Sequence, residues 1–445
     1  MKSPRDVVIV DGVRTPFAKA GTKLKEIHPA ELGRVALKEL IARTNLDVNV
    51  VDEVIIGNTG NPVDAVNISR VVALNAGIPQ KTSAYTVHRN CASALESISN
   101  GFEKIKSGTM DVVLAGGTEN MSQMPTLIPA KTQKIFDKLF AAKGPKQALP
   151  LLWQLFKADI SQIKALFTGN MKDPYFPVIS VMQGLTDPFV GINMGQTAEI
   201  LAKEWGLTRE MQDQFALRSH QLAVAAKDKL RSEIATVFLP PEYKEAVIDD
   251  IGPRAEQTIE ALKKLKPFFD KATGTITAGN SCPITDGAAM VLLMSREKAQ
   301  QLGYKPVACI RSYGFAGLEP ERMGLGPVYS TPVALKRAGI NMKDIGLVEL
   351  NEAFAAQVMA CQKAFDSDEF AKNKLGLSSK VGSFSTDILN VNGGAIALGH
   401  PVGATGTRLV ITLMNEMKRR QTQFGLATLC IGGGQGGAMI LENEN

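Results

Sequence analysis

Short runs of β-branched and aliphatic residues alternate along the chain with longer stretches in which apolar residues recur every three or four positions. The first pattern predicts strands and the second predicts helices. The predicted strands are Val7–Val10, Val54–Gly57, Val112–Gly116, Met290–Met294, Leu347–Leu350 and Ala427–Ile431. The predicted helices are Ala30–Arg43, Ala92–Lys106, Arg209–Leu230, Pro332–Arg337, Glu352–Phe365 and Thr405–Arg420. This alternation is typical of an α/β protein.

The order of these elements occurs twice. The segment Val35–Lys38 (VALK) is repeated at Val333–Lys336, and each copy lies in a helix that precedes a predicted strand. In both halves a loop, a second helix and a strand that ends in glycines come next. The shared order favours a duplicated unit over chance matches.

Length and charge exclude several classes of protein. A chain of 445 residues is expected to contain two or three domains or a duplicated unit. No apolar stretch reaches the roughly 18–20 residues of a membrane-spanning helix. The net charge of +6 is modest and there is no Lys/Arg block, so we expect no nucleic-acid partner. No signal or transit segment precedes the first strand, and we therefore expect a cytoplasmic protein.

The cysteines are scattered and odd in number: Cys91, Cys282, Cys309, Cys361 and Cys430. They form no C-x-x-C pair and no cluster with histidine. This argues against a disulfide framework and against a structural metal, and we expect no metal ion. A nucleophilic thiol in a reducing compartment remains open.

Cys91 lies where a predicted strand gives way to a helix. Free N–H groups and the positive end of the helix dipole lower the pKa of a thiol at a helix start. Cys91 is therefore a candidate acyl acceptor, and the alternative is a small buried apolar residue. His88 belongs to the preceding strand and is interpreted as structural.

Three further segments carry candidate acid, base or water-binding groups. His400 is surrounded by glycines just before a helix, so it is either the base for a thiol or a turn residue. Cys430 ends a strand before the glycine-rich run Gly432–Gly437, so it is either a proton shuttle or an apolar filler. Asn351 follows a strand, where it either holds a water or caps the next helix. The glycines match neither common nucleotide-binding pattern.

The motifs NCAS, NEAFA, GHPVGATGTR and CIGGGQGGAMI occur in this order, and the chain resembles the thiolases. The likeness also includes VVIVDGVRTPF, GGTENMS, NMGQTAE and TAGNSCPITDGAA, and it covers essentially the full length. It implies an α/β thiolase fold: two duplicated βαβαβαββ halves that form a layered α/β/α/β/α core with an inserted loop domain. The implied domains are an N-terminal half (residues 1–121, with return strands at 274–297), a loop domain (122–273) and a C-terminal half (298–445).

The resemblance also implies catalytic roles. Cys91 would take the acyl group as a thioester, His400 would activate it, and Cys430 would be the second acid/base. Asn351 would hold a water that, with His400, stabilises the enolate oxygen. The backbone N–H groups of Cys91 and Gly432 would stabilise the intermediate formed at the thioester.

Other residues would bind the substrate. Met121, Met194 and Phe354 would line the acyl pocket, and coenzyme A would be a co-substrate, with no permanently bound cofactor. Two positions depart from the family pattern: Cys282 stands where many thiolases have a serine that contacts coenzyme A, and Asn193 stands where many have a histidine.

A lysine-rich insertion occupies residues 131–175. It has eight lysines, three aspartates and no arginine or glutamate, an excess of five positive charges. Its helical pattern has an apolar face, made of Leu152, Phe156, Ile160, Ile163 and Phe167. Such a helix either packs on its own domain or docks on a membrane surface or a partner.

The insertion and the long stretch Asp366–Leu389 resemble the thiolase subunits of fatty-acid β-oxidation complexes, whose insertion is associated with membranes. That group often has a histidine where Asn351 stands. The implied partners are one or three further copies in a homodimer or homotetramer, a hydratase/dehydrogenase α subunit and a peripheral membrane contact.

The implied function is that of a 3-ketoacyl-CoA thiolase. The alternatives are an acetoacetyl-CoA thiolase working in the synthetic direction and a non-catalytic acyl-CoA-binding subunit. A decarboxylating ketoacyl synthase would need a second histidine near the Cys/His pair, and the presence of Asn351 and Cys430 argues against it.

Overall fold

The computed structural model describes residues 2–168 and 173–444, apart from the side chains of residues 166–168. Its strands are β1 (Val7–Arg14), β2 (Ala18–Lys19), β3 (Glu53–Gly57), β4 (Ser83–Val87), β5 (Val112–Asn120), β6 (Thr126–Leu127), β7 (Val178–Ile179), β8 (Val237–Phe238), β9 (Ala246–Val247), β10 (Thr285–Ser295), β11 (Ala308–Gly317), β12 (Ile345–Leu350), β13 (Phe424–Ile431) and β14 (Gln435–Asn443).

The α-helices are α1 (Pro29–Thr44), α2 (Ile68–Asn75), α3 (Ser93–Lys106), α4 (Ala130–Phe140), α5 (Pro145–Thr168), α6 (Ser180–Gly184), α7 (Met194–Glu204), α8 (Arg209–Ala225), α9 (Lys227–Arg231), α10 (Ile259–Lys263), α11 (Arg296–Gln301), α12 (Gly326–Ala338), α13 (Ala355–Phe365), α14 (Asp368–Phe370), α15 (Ala395–Leu398) and α16 (Thr405–Arg420). A π-helical turn follows α14 at Ala371–Leu375.

Every predicted strand and helix coincides with an observed element, although several bounds differ. The helix predicted over Arg209–Leu230 is divided at Ala226 into α8 and α9, and α13 begins three residues after Glu352. Strands β11 and β14 and the two-residue strands β2, β6, β7, β8 and β9 were not predicted. The strand expected before Cys91 is β4, which ends at Val87, so His88 lies just after the strand and not in it. Glycines and polar residues interrupt the period-two pattern in β11 and β14, and β4 is a partly exposed strand.

The main sheet shows the duplication directly. Its strands follow the order β12-β13-β14-β11-β1-β10-β5-β3-β4, and β2 pairs with β10. The halves meet where Val8 and Ile9 of β1 pair with Cys309 and Ala308 of β11. Outward from this seam, each half has two antiparallel pairs and then a parallel pair, β3–β5 in one half and β12–β13 in the other. The N-terminal half adds β4, parallel to β3, where the C-terminal half has an isolated parallel bridge between Val348 and Leu389. The first four strands of each half therefore share one order.

Alternating side chains divide the protein into layers. Val7 and Ile9 face an inner core that also contains residues of α3 and α16, whereas Val8 faces an outer core formed with α1 and α2. On the other side, β13 and β14 share an outer core with α7, α12 and α13. The two halves of the main sheet thus form two layers, with α3 and α16 between them and further helices on each outer side. This arrangement confirms the predicted layered fold.

The central helices α3 and α16 pack very closely because glycines occupy the contact. A Cβ on Gly406 of α16 would lie 2.5 Å from the backbone nitrogen of Leu95 in α3. A Cβ on Gly57 would overlap the Ser93 backbone, and one on Gly117 would overlap the Gly403 carbonyl. The starts of α3 and α16, next to Cys91 and His400, are thereby brought side by side.

Residues 124–186 form a compact unit of their own, which contains β6, β7, α4, α5 and α6. Four members of the predicted apolar face of α5 are each about half exposed: Leu152, Phe156, Ile160 and Ile163. The side chain of Phe167, and Lys172, lie outside the described residues. None of the described helices is both long and apolar enough to cross a membrane. The wider loop domain, residues 122–273, stays a prediction.

Candidate active site

Cys91 lies in the loop between β4 and α3, two residues before the helix begins. The backbone N–H groups of Gly432 and of Cys91 itself face its sulfur and favour the thiolate. Burial has the larger effect and raises the pKa of the Cys91 thiol above its usual value. The expectation that the helix start lowers this pKa is therefore wrong, because desolvation outweighs the local donors. The resting thiol is protonated and needs a base.

His400 lies in the turn before α16 and is almost fully buried. Its backbone N–H donates to the Thr285 hydroxyl at 3.1 Å, and its Nδ1 lies 2.6 Å from the Thr405 hydroxyl. The Thr405 hydroxyl donates its only proton to the Pro401 carbonyl at 3.0 Å, so it accepts from the Nδ1–H of His400. The other ring nitrogen, Nε2, is left unprotonated and has a free lone pair that can accept a proton.

The environment keeps His400 neutral. Burial, and then the positive charge of Arg408, lowers the pKa of His400 to about 3. A buried neutral imidazole with a free Nε2 is suited to receive a proton from a thiol.

A buried carboxylate fixes the His400 turn to the rest of the protein. Glu119 of β5 accepts from the backbone N–H of Gly403 at 3.0 Å, of Gly60 at 2.9 Å and of Thr59 at 3.0 Å. The Thr59 hydroxyl also donates to it. Glu119 was not singled out from the sequence, although a charged residue within an apolar strand is a usable signal.

Cys430 is buried at the end of β13, where a glycine turn leads to β14. Burial, and then the proximity of Cys91, raises the pKa of Cys430 well above its usual value. Burial likewise raises the pKa of Cys282 to about 12, with Cys91 as the next cause. The three thiols thus lie close enough to influence one another, and all are protonated at neutral pH.

The segment that carries Cys282 joins two other parts of the site. The Cys282 N–H donates to the Ala353 carbonyl at 3.0 Å, and Ser281 forms a β-bridge with Phe354. Two residues after Cys282, Ile284 forms a β-bridge with His400. Cys282 therefore lies between the loop of Asn351 and the turn of His400.

Asn351 is fully buried, and within the described part of the chain neither polar atom of its side-chain amide has a hydrogen-bond partner. Phe354, not Asn351, is the N-cap residue of α13, so the capping interpretation of Asn351 is wrong. A buried amide without a partner indicates a place for a water or a substrate oxygen.

Two family models match the chain, the N-terminal thiolase domain over residues 7–297 and the C-terminal thiolase domain over residues 304–443. The chain belongs to the thiolase family. Over 441 residues it is 40% identical to a 3-ketoacyl-CoA thiolase of Yersinia pestis, covering 98% of this chain and 97% of that protein.

Two solved structures have the same fold. The acetyl-CoA acetyltransferase of Bacillus anthracis has a TM-score of 0.82 at 34% identity and covers 98% of both chains. Human mitochondrial 3-ketoacyl-CoA thiolase in complex with CoA has a TM-score of 0.82 at 34% identity, over 100% of this chain and 99% of that one.

In this thiolase, two of the predicted acyl-pocket residues lie in one apolar cluster with Cys430. The Met194 sulfur lies 3.3 Å from the point that a Cβ on Gly432 would occupy. The Phe354 ring packs edge-on against Phe269, with ring centroids 6.2 Å apart. Phe269 was missed from the sequence, because nothing near it in the chain marks it as different from a core residue.

Two other predicted positions have different surroundings. Met121 directly follows β5, and its backbone N–H faces the Asp286 carboxylate, so its place in the acyl pocket stays a prediction. Asn193 is the N-cap residue of α7 and accepts from the Gly195 N–H at 3.0 Å. The side chain of Asn193 therefore caps α7.

Four exposed lysines close in sequence were also not singled out. Lys263 ends α10, and Lys264, Lys266 and Lys271 follow it within eight residues. Leu262 and Leu265 of the same segment pack against Gly279, three residues before Cys282. The run KKLK was the available signal. Among the residues that the structure describes, no group of His, Cys, Asp and Glu side chains could hold a metal ion.

Replacing Thr405 tests how His400 is held. Thr405→Val removes the acceptor for Nδ1–H, so the ring is no longer confined to the tautomer with a basic Nε2. We expect the rate of Cys91 acylation to fall about 10- to 100-fold. Thr405→Ser keeps the hydroxyl and should retain most of the rate.

The measurement is single-turnover acylation followed by intact-protein mass spectrometry, with melting temperatures taken in parallel. A Thr405→Val variant that acylates as fast as wild type would refute the assignment of the tautomer.

Proposed function

We propose that this thiolase cleaves a 3-ketoacyl-CoA with coenzyme A to give acetyl-CoA and an acyl-CoA that is two carbons shorter. The main support is that the segments of Cys91, Cys430, His400 and Asn351 come from distant parts of the chain and are linked around Cys282: its thiol lies near those of Cys91 and Cys430, and its segment bonds to the loop after Asn351 and bridges to His400. The name of the Yersinia relative, a 3-ketoacyl-CoA thiolase, supports the same activity.

In the first step the Cys91 sulfur attacks the 3-keto carbonyl. His400 Nε2 takes the thiol proton as the carbon–sulfur bond forms, because the resting thiol is protonated. The carbonyl oxygen gains negative charge, which the N–H groups of Cys91 and Gly432 stabilise. These donors already face the sulfur, so little rearrangement is needed.

The bond between C2 and C3 then breaks, and its electron pair passes to the enolate of acetyl-CoA. The enolate oxygen accepts from the protonated His400 and from a water bound by Asn351. Cys430 gives its proton to C2, a role that suits a thiol whose raised pKa keeps it protonated. An acyl group remains on Cys91.

Coenzyme A completes the cycle. Its thiol attacks the Cys91 thioester and its proton passes to Cys430, while the departing Cys91 sulfur recovers a proton from His400. The exposed lysines Lys263, Lys264, Lys266 and Lys271 are suited to the phosphate groups of coenzyme A. Leu262 and Leu265 of the same segment pack against Gly279, three residues before Cys282, which supports binding of coenzyme A on this side of the site.

An acetoacetyl-CoA thiolase working in the synthetic direction is the second candidate, and the likeness to the Bacillus anthracis acetyl-CoA acetyltransferase favours it. In this candidate the same residues would catalyse the reverse reaction. The two candidates are therefore distinguished by their acyl-chain preference. A non-catalytic acyl-CoA-binding subunit would not need two acid/base groups near an acylated thiol. A turnover assay distinguishes such a subunit from either enzyme.

Cys91→Ser should abolish acyl-enzyme formation, because a serine hydroxyl gives no usable anion near neutral pH. Intact-protein mass spectrometry after incubation with acyl-CoA should show an added acyl group in wild type only. Cys309→Ala, which changes a cysteine outside the site, is the matched control and should acylate normally.

Thiolysis over a ladder of 3-ketoacyl-CoA lengths, from acetoacetyl-CoA upward, tests the substrate class. Activity that extends to longer chains supports the proposal, and activity confined to acetoacetyl-CoA supports the second candidate. Labelling of a cysteine other than Cys91, or no turnover with any length, would contradict the proposal.

We also propose that the protein is cytoplasmic and forms a homodimer or homotetramer. Strand β4 ends the strand order of the main sheet, and its outer edge is unpaired within the described residues. Its sequence SAYTV carries no lysine or proline of the kind that protects a sheet edge. Pairing of two β4 strands would cover both edges. A hydratase/dehydrogenase α subunit is a further proposed partner.

A peripheral membrane contact is proposed for the unit of residues 124–186. The half-exposed apolar residues of α5 lie beside lysines, and Lys157 lies over the Trp153 ring at 5.6 Å. Aromatic, aliphatic and basic side chains in this combination are typical of helices that bind at a membrane surface.

A charge-reversed variant tests this contact. Lys157→Glu/Lys164→Glu should weaken binding to anionic vesicles by about 2 kcal/mol or more, roughly 30-fold, because each lysine contributes about 1 kcal/mol near such a surface. Lys157→Arg/Lys164→Arg keeps the charge and should bind like wild type. Co-sedimentation at low salt is the measurement. If the wild-type protein stays in the supernatant, the membrane contact is contradicted and α5 is interpreted as a helix that packs within its own domain.

A further inference from the structure

Asn90, directly before the nucleophile, has an unusual backbone and a specific long-range contact. Its φ is +45°, in the left-handed region that asparagine tolerates better than most residues. Its side-chain Nδ2 donates to the Gly432 carbonyl at 2.8 Å, a contact between residues 342 positions apart. Asn90 thus ties the loop of Cys91 to the glycine turn after Cys430.

His88 gives this amide a defined direction. Its Nε2 lies 3.0 Å from Oδ1 of Asn90, so the opposite end of the amide, Nδ2, points to Gly432. His88 is exposed, and a purely packing role does not explain the contact.

A second link joins the same two segments. Arg89 donates to the Gln435 side chain at 3.0 Å and to Glu96 at 2.7 Å, and it stacks on the Phe315 ring. Arg89 is therefore held from three sides. Of the two residues, it is Asn90 that bonds to Gly432 itself, the residue whose N–H faces the Cys91 sulfur.

The backbone N–H groups proposed to stabilise the oxygen in the acyl-transfer step, those of Cys91 and Gly432, come from these two segments. Cys91 precedes α3 and Gly432 follows β13, so the separation of their N–H groups depends on how the two loops are fixed to each other. No covalent constraint sets that separation. A shift of about 1 Å in such donors is enough to slow a reaction about 100-fold.

We propose that Asn90 is a positioning residue that fixes the two backbone donors, Cys91 N–H and Gly432 N–H, at the spacing needed for the acyl oxygen. His88 assists by orienting the Asn90 amide. The proposal rests on the proposed function. It concerns only the acyl-transfer steps, because the enolate oxygen would be bound elsewhere, by His400 and the water of Asn351.

Asn90→Gly is the sharpest test, since glycine accepts the positive φ without strain but has no side-chain amide. We expect acylation of Cys91 to slow about 10- to 100-fold, with acyl-CoA affinity and melting temperature close to those of wild type. Exchange of the α-protons of acetyl-CoA, measured after acylation is complete, should stay within about twofold of wild type. His88→Ala should show a smaller loss in the same step.

Asn90→Gly that acylates at the wild-type rate would overturn the proposal. Equal losses of acylation and of proton exchange, together with a lower melting temperature, would also overturn it, since they indicate a structural role only. The wild-type protein serves as the reference: absence of acylation in both proteins contradicts the proposed function as well.

Discussion

The close packing of α3 against α16 is the constraint on which the site depends. A side chain at Gly117 or Gly406 would collide with backbone of the other half, so glycine at these two positions sets the distance between the duplicated halves. Each half contributes one helix to the central layer, and each helix begins beside a functional residue. The proposed site therefore takes Cys91 from one half and His400 and Cys430 from the other.

The chemistry follows from burial in that layer. Desolvation raises the pKa values of the Cys91 and Cys430 thiols and lowers that of His400, so these groups are uncharged at rest. An uncharged site avoids the cost of burying isolated ions. In the proposed mechanism, charge appears only during the reaction, when the backbone N–H groups of Cys91 and Gly432 and a water bound by Asn351 stabilise it. Glu119 and Thr405 keep the His400 turn in place while this happens.

Local patterns in the sequence identified the strands, helices and duplicated order, because alternation and helical periodicity act within a few residues. They identified Cys91, His400 and Cys430 as candidates, although the family motifs were needed to assign roles. The pKa of Cys91 could not be predicted, because a helix start is visible in the sequence and the desolvation of the Cys91 thiol is not. Glu119, Phe269 and the Asn90–Gly432 contact depend on residues far apart in the chain, so no local pattern shows them.

The central claim is that Cys91 performs acyl transfer and Cys430 performs proton transfer at carbon. The most direct measurement compares both half-reactions in Cys430→Ala. The account predicts that this variant still becomes acylated at Cys91 from a simple acyl-CoA but fails to exchange the α-protons of acetyl-CoA. Exchange at the wild-type rate in a variant that acylates normally would contradict the account.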